Sequence, residues 1–173
     1  MDSRTRLITT AATLLAREGV EAVTLRRIAR AAGVSHGAPL RHFSGRAELL
    51  TAVATEGFAE LRERAGELPG ADPLQRLRTA CRRYLEFALG NPAMFELMFR
   101  RDLTDPDEMG KLHEEVLQRF TDLVTRAQSG GWRAGEDTRA LAASLWAASH
   151  GLAALRPPEA DAALEVMLNA YLG

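Results

Sequence analysis

Along all 173 residues, apolar side chains recur at spacings of three and four. Strict alternation over five or more residues is hard to find, and the helix breakers fall between the periodic runs. A chain patterned this way buries its stripes helix against helix, so the expected fold is all-α, with about nine helices and short connections. The first spans about 3–17 and places Leu7, Ile8, Ala11, Leu14 and Leu15 on one face, with Gly19 positioned to end it. A second follows Thr24, a natural N-cap, and buries Leu25, Ile28 and Ala29 before AAGVS stops it. A third, short helix is expected within SHGAPLRHF, residues 35–43. A long fourth starts at Ser44 or Gly45, carries Leu49, Leu50, Val53, Phe58, Leu61 and Ala65, and ends before Pro69-Gly70. Others are expected from Pro73, capped by Asp72, to about 89, from Pro92, and over about 107–129, 136–155 and 159–172.

Several function classes fall away on the residues present. The single cysteine, Cys81, cannot form an intramolecular disulfide, and MDSRTRLITT does not resemble a secretory leader. No uncharged apolar run approaches the roughly 18–20 residues of a membrane span, so a cytoplasmic protein without membrane contact is expected. His36, His42, His113 and His150 are scattered over separate helices, with no four-residue metal spacing beside a third carboxylate ligand. Cys81 has no histidine nearby, and no glycine-rich phosphate loop follows a strand. No catalytic residue, no metal and no cofactor is therefore expected, and the chain is not read as an enzyme.

Charge is unevenly distributed. Residues 1–50 hold eight arginines against four acids, a net of +4, whereas the rest holds fourteen basic against nineteen acidic residues, a net of −5. A basic head on an acidic body is what a polyanion-binding headpiece shows. Arginine dominates throughout, Lys111 being the only lysine, which coding bias toward GC-rich codons explains.

Within that head, TLRRIARAAGVSHGAPLRHF has the form of a helix-turn-helix. Leu25, Ile28 and Ala29 face inward, Gly33 allows the tight turn, Val34 plugs the corner, and the Ser35 side chain is placed to cap the next helix. Spacing alone also fits two core helices joined by a glycine turn. In the first reading the second helix lies in the major groove, with Arg41 matched to guanine O6 and N7. Gly37 would permit close backbone approach, and Pro39, near the helix start, would lose about one hydrogen bond, to Ser35. Arg46, on a helix's first turn, is unfavourably placed for the dipole, so a phosphate partner would compensate it.

REGVEAVTLRRIARAAGVSHGAPLRHFSGRAELL, residues 17–50, resembles the DNA-binding domain of the TetR/AcrR family of bacterial transcription repressors, and LWAASHGLAAL is similar to the Trp-His-Gly signature of one branch's C-terminal domain. The resemblance implies a three-helix DNA-binding domain over 1–48 and a helical ligand-binding and dimerisation domain over 49–173. It implies phosphate contacts from Thr24, Arg26, His42 and Arg46, and places His36, Ala38, Pro39 and Arg41 at the groove or its rim, with Ser35, Gly37 and Leu40 also among the expected DNA-binding residues, while Phe43 packs inward. Leu40 stands where the family commonly has tyrosine, so a hydroxyl contact is missing and an apolar one, such as to a thymine methyl, takes its place.

The body then has two tasks. Leu141, Leu145 and Leu152 on one late helix, with Leu164, Met167, Leu168 and Tyr171 on the last, suit a two-fold four-helix interface, or ordinary intrachain core. Sensing needs a cavity, for which Phe58, Leu61, Tyr84, Phe87, Phe95, Met98, Phe99 and His113 are the candidate lining, as such stripes are also ordinary core. Trp146 and His150, four apart on one helix, offer a polar anchor to a ligand or a structural hydrogen bond. The expected function is a homodimeric, ligand-responsive transcriptional repressor on a pseudo-palindromic DNA operator, released by an unidentified small-molecule effector. The alternative is an all-helical adaptor or small-molecule-binding protein without specific DNA binding.

Overall fold

The computed structural model describes residues 2–64, 66 and 72–173. Among them it holds eight α-helices and no strand. By compactness the chain divides elsewhere than between 48 and 49. One unit is Met1–Glu60 with Asn91–Leu112, and the other is Leu61–Gly90 with His113–Gly173.

The first unit opens with α1 (Ser3–Glu18), whose N-cap Asp2 accepts from the Thr5 amide at 2.8 Å. Hydrogen bonding from Thr5, its amide foremost, holds the Asp2 carboxyl below its ordinary range. Gly19 ends the helix at φ 78°, a left-handed value that glycine adopts without a Cβ penalty, and its amide donates to Leu15. The Thr24 hydroxyl oxygen then accepts from the Arg27 amide at 3.3 Å to start α2 (Leu25–Ala31). This unit also takes in most of α3 (Arg46–Arg64), all of α5 (Pro92–Met98) and the start of α6 (Pro106–Ser129). Helix α1 packs on α2 and α5, and Leu7, Ala11, Leu15, Val23, Ile28, Phe43, Leu49 and Val53 form the core. Gly57 lets α3 approach α5: a Cβ there would sit 2.8 Å from Met94 Sδ and 2.9 Å from Met98 Sδ.

The second unit packs α4 (Pro73–Gly90) against α7 (Thr138–Leu155) and α8 (Ala160–Leu172), with the rest of α6. Asp72 caps α4, accepting from the Leu74 amide, and Asp137 caps α7, accepting from Ala140 at 2.7 Å. Leu77, Cys81, Leu85, Phe87, Leu141, Leu145, Ala153, Leu164 and Leu168 are its core. Arg82 and Glu165 join α4 to α8 through two hydrogen bonds of 2.6 and 2.8 Å.

Seven of the nine expected helices stand within about two residues of their expected bounds, and α3 begins at Arg46 rather than Ser44 or Gly45. The break at Pro69-Gly70, with Ala65 before it, lies outside the described residues. The ninth, over SHGAPLRHF, differs in kind: it is a turn followed by a single 3-10 turn, Pro39–Arg41. Pro39 has no amide proton to give to Ser35, so the chain tightens instead. Ala38 donates to Ser35, Arg41 to Ala38, and His42 to Pro39, each three residues back. Ser35 thus contributes its carbonyl, not the expected side-chain cap.

Among the described residues, no helix is long and apolar enough to cross a membrane.

Candidate nucleic-acid interface

The turn between α2 and the segment after it is set by Gly33 at φ 65°, where the left-handed backbone disfavours any other residue. The Val34 amide reaches back to the Ala29 carbonyl at 3.0 Å and closes the corner. At the start of α2, Thr24 is half-buried and engaged as a cap, while the Arg26 side chain is exposed. Arg27 beside it is held by Glu18 at 2.7 Å and so is less available to a polyanion.

The segment 35–43 separates into inner and outer residues. Pro39 and Phe43 are buried, and the Pro39 carbonyl accepts from both the His42 and Phe43 amides, at 3.0 and 2.9 Å. The Arg4 guanidinium lies 5.4 Å from the centre of the Phe43 ring, closing that anchor from the α1 side. Ser35, His36, Gly37, Leu40 and Arg41 are exposed, and Ala38 and His42 are half-buried. The expectation that Pro39 faces a groove is thereby corrected: its ring is packed inward because the tight turn places it opposite Leu40, which is 60% exposed.

Arg46 also has partners that the sequence did not disclose. Its Nε donates to the Val23 carbonyl at 2.8 Å and its Nη2 to the Val20 carbonyl at 2.7 Å, with the Glu21 carboxylate 3.6 Å away. The guanidinium ties the first turn of α3 to the connection between α1 and α2. Its unfavourable place at a helix N-terminus is compensated by these carbonyls rather than requiring phosphate. Beside it, the Ser44 amide donates to Glu48 at 2.7 Å, which lowers the Glu48 carboxyl's pKa and satisfies one of the amides at the helix start. Nothing in residue type or spacing points to main-chain acceptors more than twenty positions away, so this clamp was not legible beforehand.

The residues expected to line a cavity fall into both units. Phe58, Phe95, Met98 and Phe99 are in the first, where the Phe99 ring lies 6.1 Å from Phe58 and 5.0 Å from Phe95. Leu61, Tyr84, Phe87, His113, Trp146 and His150 are in the second. There Tyr84 Oη lies 3.0 Å from His150 Nδ1, the Tyr84 ring meets Phe120 edge-on at 6.3 Å, and the His113 and Trp146 rings are 6.5 Å apart. Burial pushes the Tyr84 hydroxyl up and the His150 imidazole down, so both are held neutral. Burial likewise pushes the Cys81 thiol up to about 11, which leaves it an unreactive S–H. Trp146 Nε1 and Ser149 Oγ are buried, close to Tyr84 and Cys81 respectively, without a hydrogen bond of regular geometry. Tyr84 and His150 stand 66 positions apart, and only the packing of α4 against α7 makes them a pair.

Of the residues expected at a dimer interface, Leu141, Leu145, Leu164 and Leu168 are buried within the single chain, and Leu152, Met167 and Tyr171 are half-buried. The exposed apolar surface of α7 and α8 is instead Leu155, Val166 and the small residues Ala140, Ala147, Ala154, Ala162 and Ala170.

The HTH-type transcriptional repressor KstR of Rhodococcus jostii is 26% identical over 125 residues, 68% of this chain and 59% of that protein, so the chain spans about three fifths of that relative's length. The structure of a protein with unknown function from Rhodococcus sp. RHA1 superposes with a TM-score of 0.84 at 27% identity, over 99% of this chain and 94% of that one. AibR in complex with isovaleryl coenzyme A and operator DNA shares the fold, with a TM-score of 0.74 at 17% identity over 99% and 97% of the two chains. The model for bacterial regulatory proteins of the tetR family matches residues 7–53, and the model for the tetracyclin repressor-like C-terminal domain matches residues 77–170. With more than half of its length matched by the second of these alone, the chain belongs to the TetR family of bacterial regulatory proteins.

Proposed function

We propose that this chain is a cytoplasmic transcriptional repressor that binds a pseudo-palindromic DNA operator as a homodimer and is released by a small molecule. The observation that carries this reading is the division of residues 35–43, with Pro39 and Phe43 buried and His36, Gly37, Leu40 and Arg41 turned out beside exposed Arg26. An exposed, basic and preformed reading surface, set by a glycine turn after α2, is what major-groove recognition needs. His42 and Thr24 stand at its rim for phosphate, and two copies present half-sites about 34–36 Å apart. Residues 1–48 serve as the DNA-binding part and residues 49–173 as the part that senses and dimerises. That KstR is named a repressor, and that AibR is held with both an acyl coenzyme A and its operator, supports the same division of labour.

The effector contacts are assigned to Tyr84, His113, Trp146 and His150, polar groups set among aromatic rings. Effector and operator are coupled by about 1–3 kcal/mol, in both directions. The chain has no catalytic role in this reading. The test is operator binding by the purified chain across a salt series. Affinity should fall steeply between low and moderate salt, and more than tenfold on Arg41→Ala; salt-independent association would favour a protein-binding adaptor instead.

A further inference from the structure

Three large apolar side chains are exposed among the described residues: Leu40, Leu155 and Val166. The last two lie on α7 and α8, but Leu40 stands alone amid polar groups, 60% exposed between buried Pro39 and exposed Arg41. Its backbone is fixed by the proline ring before it and by the Arg41 and His42 amides, which bond to Ala38 and Pro39. One 3-10 turn earlier, the place a Cβ would take on Gly37 has nothing within 4 Å. Leu40 is therefore exposed on an ordered turn, with exposed Arg41 next in the chain and open space at Gly37.

On the major-groove edges of DNA the apolar group is the thymine C5-methyl, whereas the donor and acceptor pairs suit polar side chains. An apolar residue on a reading surface thus has one favourable base partner, and an arginine next to it has another in guanine O6 and N7. Resting on the DNA-binding reading above, we infer that Leu40 and Arg41 together read a thymine adjacent to a guanine in each half-site, Leu40 packing on the methyl group and Arg41 forking onto the guanine. Burying one methyl group is worth about fourfold in affinity per half-site, so about fifteenfold over two.

The experiment selects operators for the full chain from a random duplex pool, then replaces each thymine by uracil and each guanine by 7-deazaguanine. The wild type should lose about fourfold at one thymine per half-site, next to a guanine whose N7 removal costs at least fivefold. Leu40→Ala should bind the thymine and uracil duplexes equally while keeping the guanine dependence, and Arg41→Ala should do the reverse. Leu40 is exposed, so its alanine variant should melt with the wild type, which separates lost reading from lost fold. Uracil without effect anywhere, or an effect that persists in Leu40→Ala, overturns the assignment and leaves DNA binding standing. A pool from which no sequence is enriched overturns DNA binding and this assignment together.

Discussion

The Arg46 side chain reaches 23 positions back along the chain to donate its Nε proton to the Val23 carbonyl at 2.8 Å. With Nη2 on Val20, one guanidinium joins three segments of the headpiece: the 3-10 turn after α1, the approach to α2 and the start of α3. Charge-assisted hydrogen bonds to backbone carbonyls are among the stronger polar contacts, though here water can replace them at a side chain 34% exposed. Arg46→Ala should lower unfolding free energy by about 1–2 kcal/mol, and Arg46→Lys should recover only part, because an ammonium group lacks the fork that spans two carbonyls. Denaturant titration checks the stability. Salt titration of operator binding should give an unchanged slope for Arg46→Ala; a slope lower by about one would make Arg46 a phosphate ligand after all.

Gly57 lies at a close approach between two helices of the first unit. A methyl group there overlaps Met98, which is fully buried, and Met94, which is only partly so and has somewhere to go. Overpacking costs about 1–3 kcal/mol, and the better helix propensity of alanine returns about 1, so Gly57→Ala should be destabilising by about 1 kcal/mol net. An alanine variant more stable than the wild type, with Met94 unmoved, would contradict the close contact.

His150 supplies a pH dependence whose sign is fixed by its environment. Burial holds its folded-state pKa below the ordinary 6.5, so the unfolded chain takes up a proton that the folded chain refuses. This contribution to stability is fully present above about 6.5 and is lost as pH falls from there through the lowered folded value. His150→Asn should flatten that limb of the stability profile, measured as denaturation midpoints at pH 7.5, 6.5 and 5.5. An unchanged slope would assign the titration elsewhere.

The exposed face of α7 and α8 carries the assembly prediction. Leu155 is 81% and Val166 71% exposed, whereas Leu145 is fully buried. In a dimer built on this face, Leu155→Glu with Val166→Glu should yield a folded monomer by sedimentation velocity, with operator affinity reduced by more than tenfold. Leu145→Ala should instead cost about 2–5 kcal/mol of folding stability whatever the oligomeric state. A double glutamate variant that stays dimeric would place the interface on another surface.

Helices carried by long periodic stripes, such as α1, α4, α6 and α7, were legible in the sequence because one apolar residue in three or four fixes both their type and their buried face. Two caps were legible for the same local reason, Thr24 and Asp72 each bonding an amide two or three residues on. The segment 35–43 was legible in position but not in form. Periodicity over nine residues cannot separate a helix from consecutive tight turns, and only the missing Pro39 proton decides it. What could not be read were contacts made by main-chain atoms or across distant helices: Arg46 on Val20 and Val23, Tyr84 on His150, and the inward set of Pro39. The expected dimer stripe is only partly free in the single chain: Leu152, Met167 and Tyr171 are half-buried, and Leu141, Leu145, Leu164 and Leu168 are buried. Period alone cannot divide such a stripe between intrachain core and outer face, and the packed structure leaves alanines with Leu155 and Val166 outside.

Pro39 and Phe43 hold the 35–43 segment from within while His36, Gly37, Leu40 and Arg41 stand outside, so under the proposed DNA-binding function the residues that keep this headpiece folded would not be those that choose its DNA. Substitutions at the four outer positions are then nearly silent in folding, so a lineage carrying this chain is free to drift from one operator to another without passing through an unstable intermediate. The same separation makes those four positions a compact library for retargeting, with Pro39 and Phe43 left untouched.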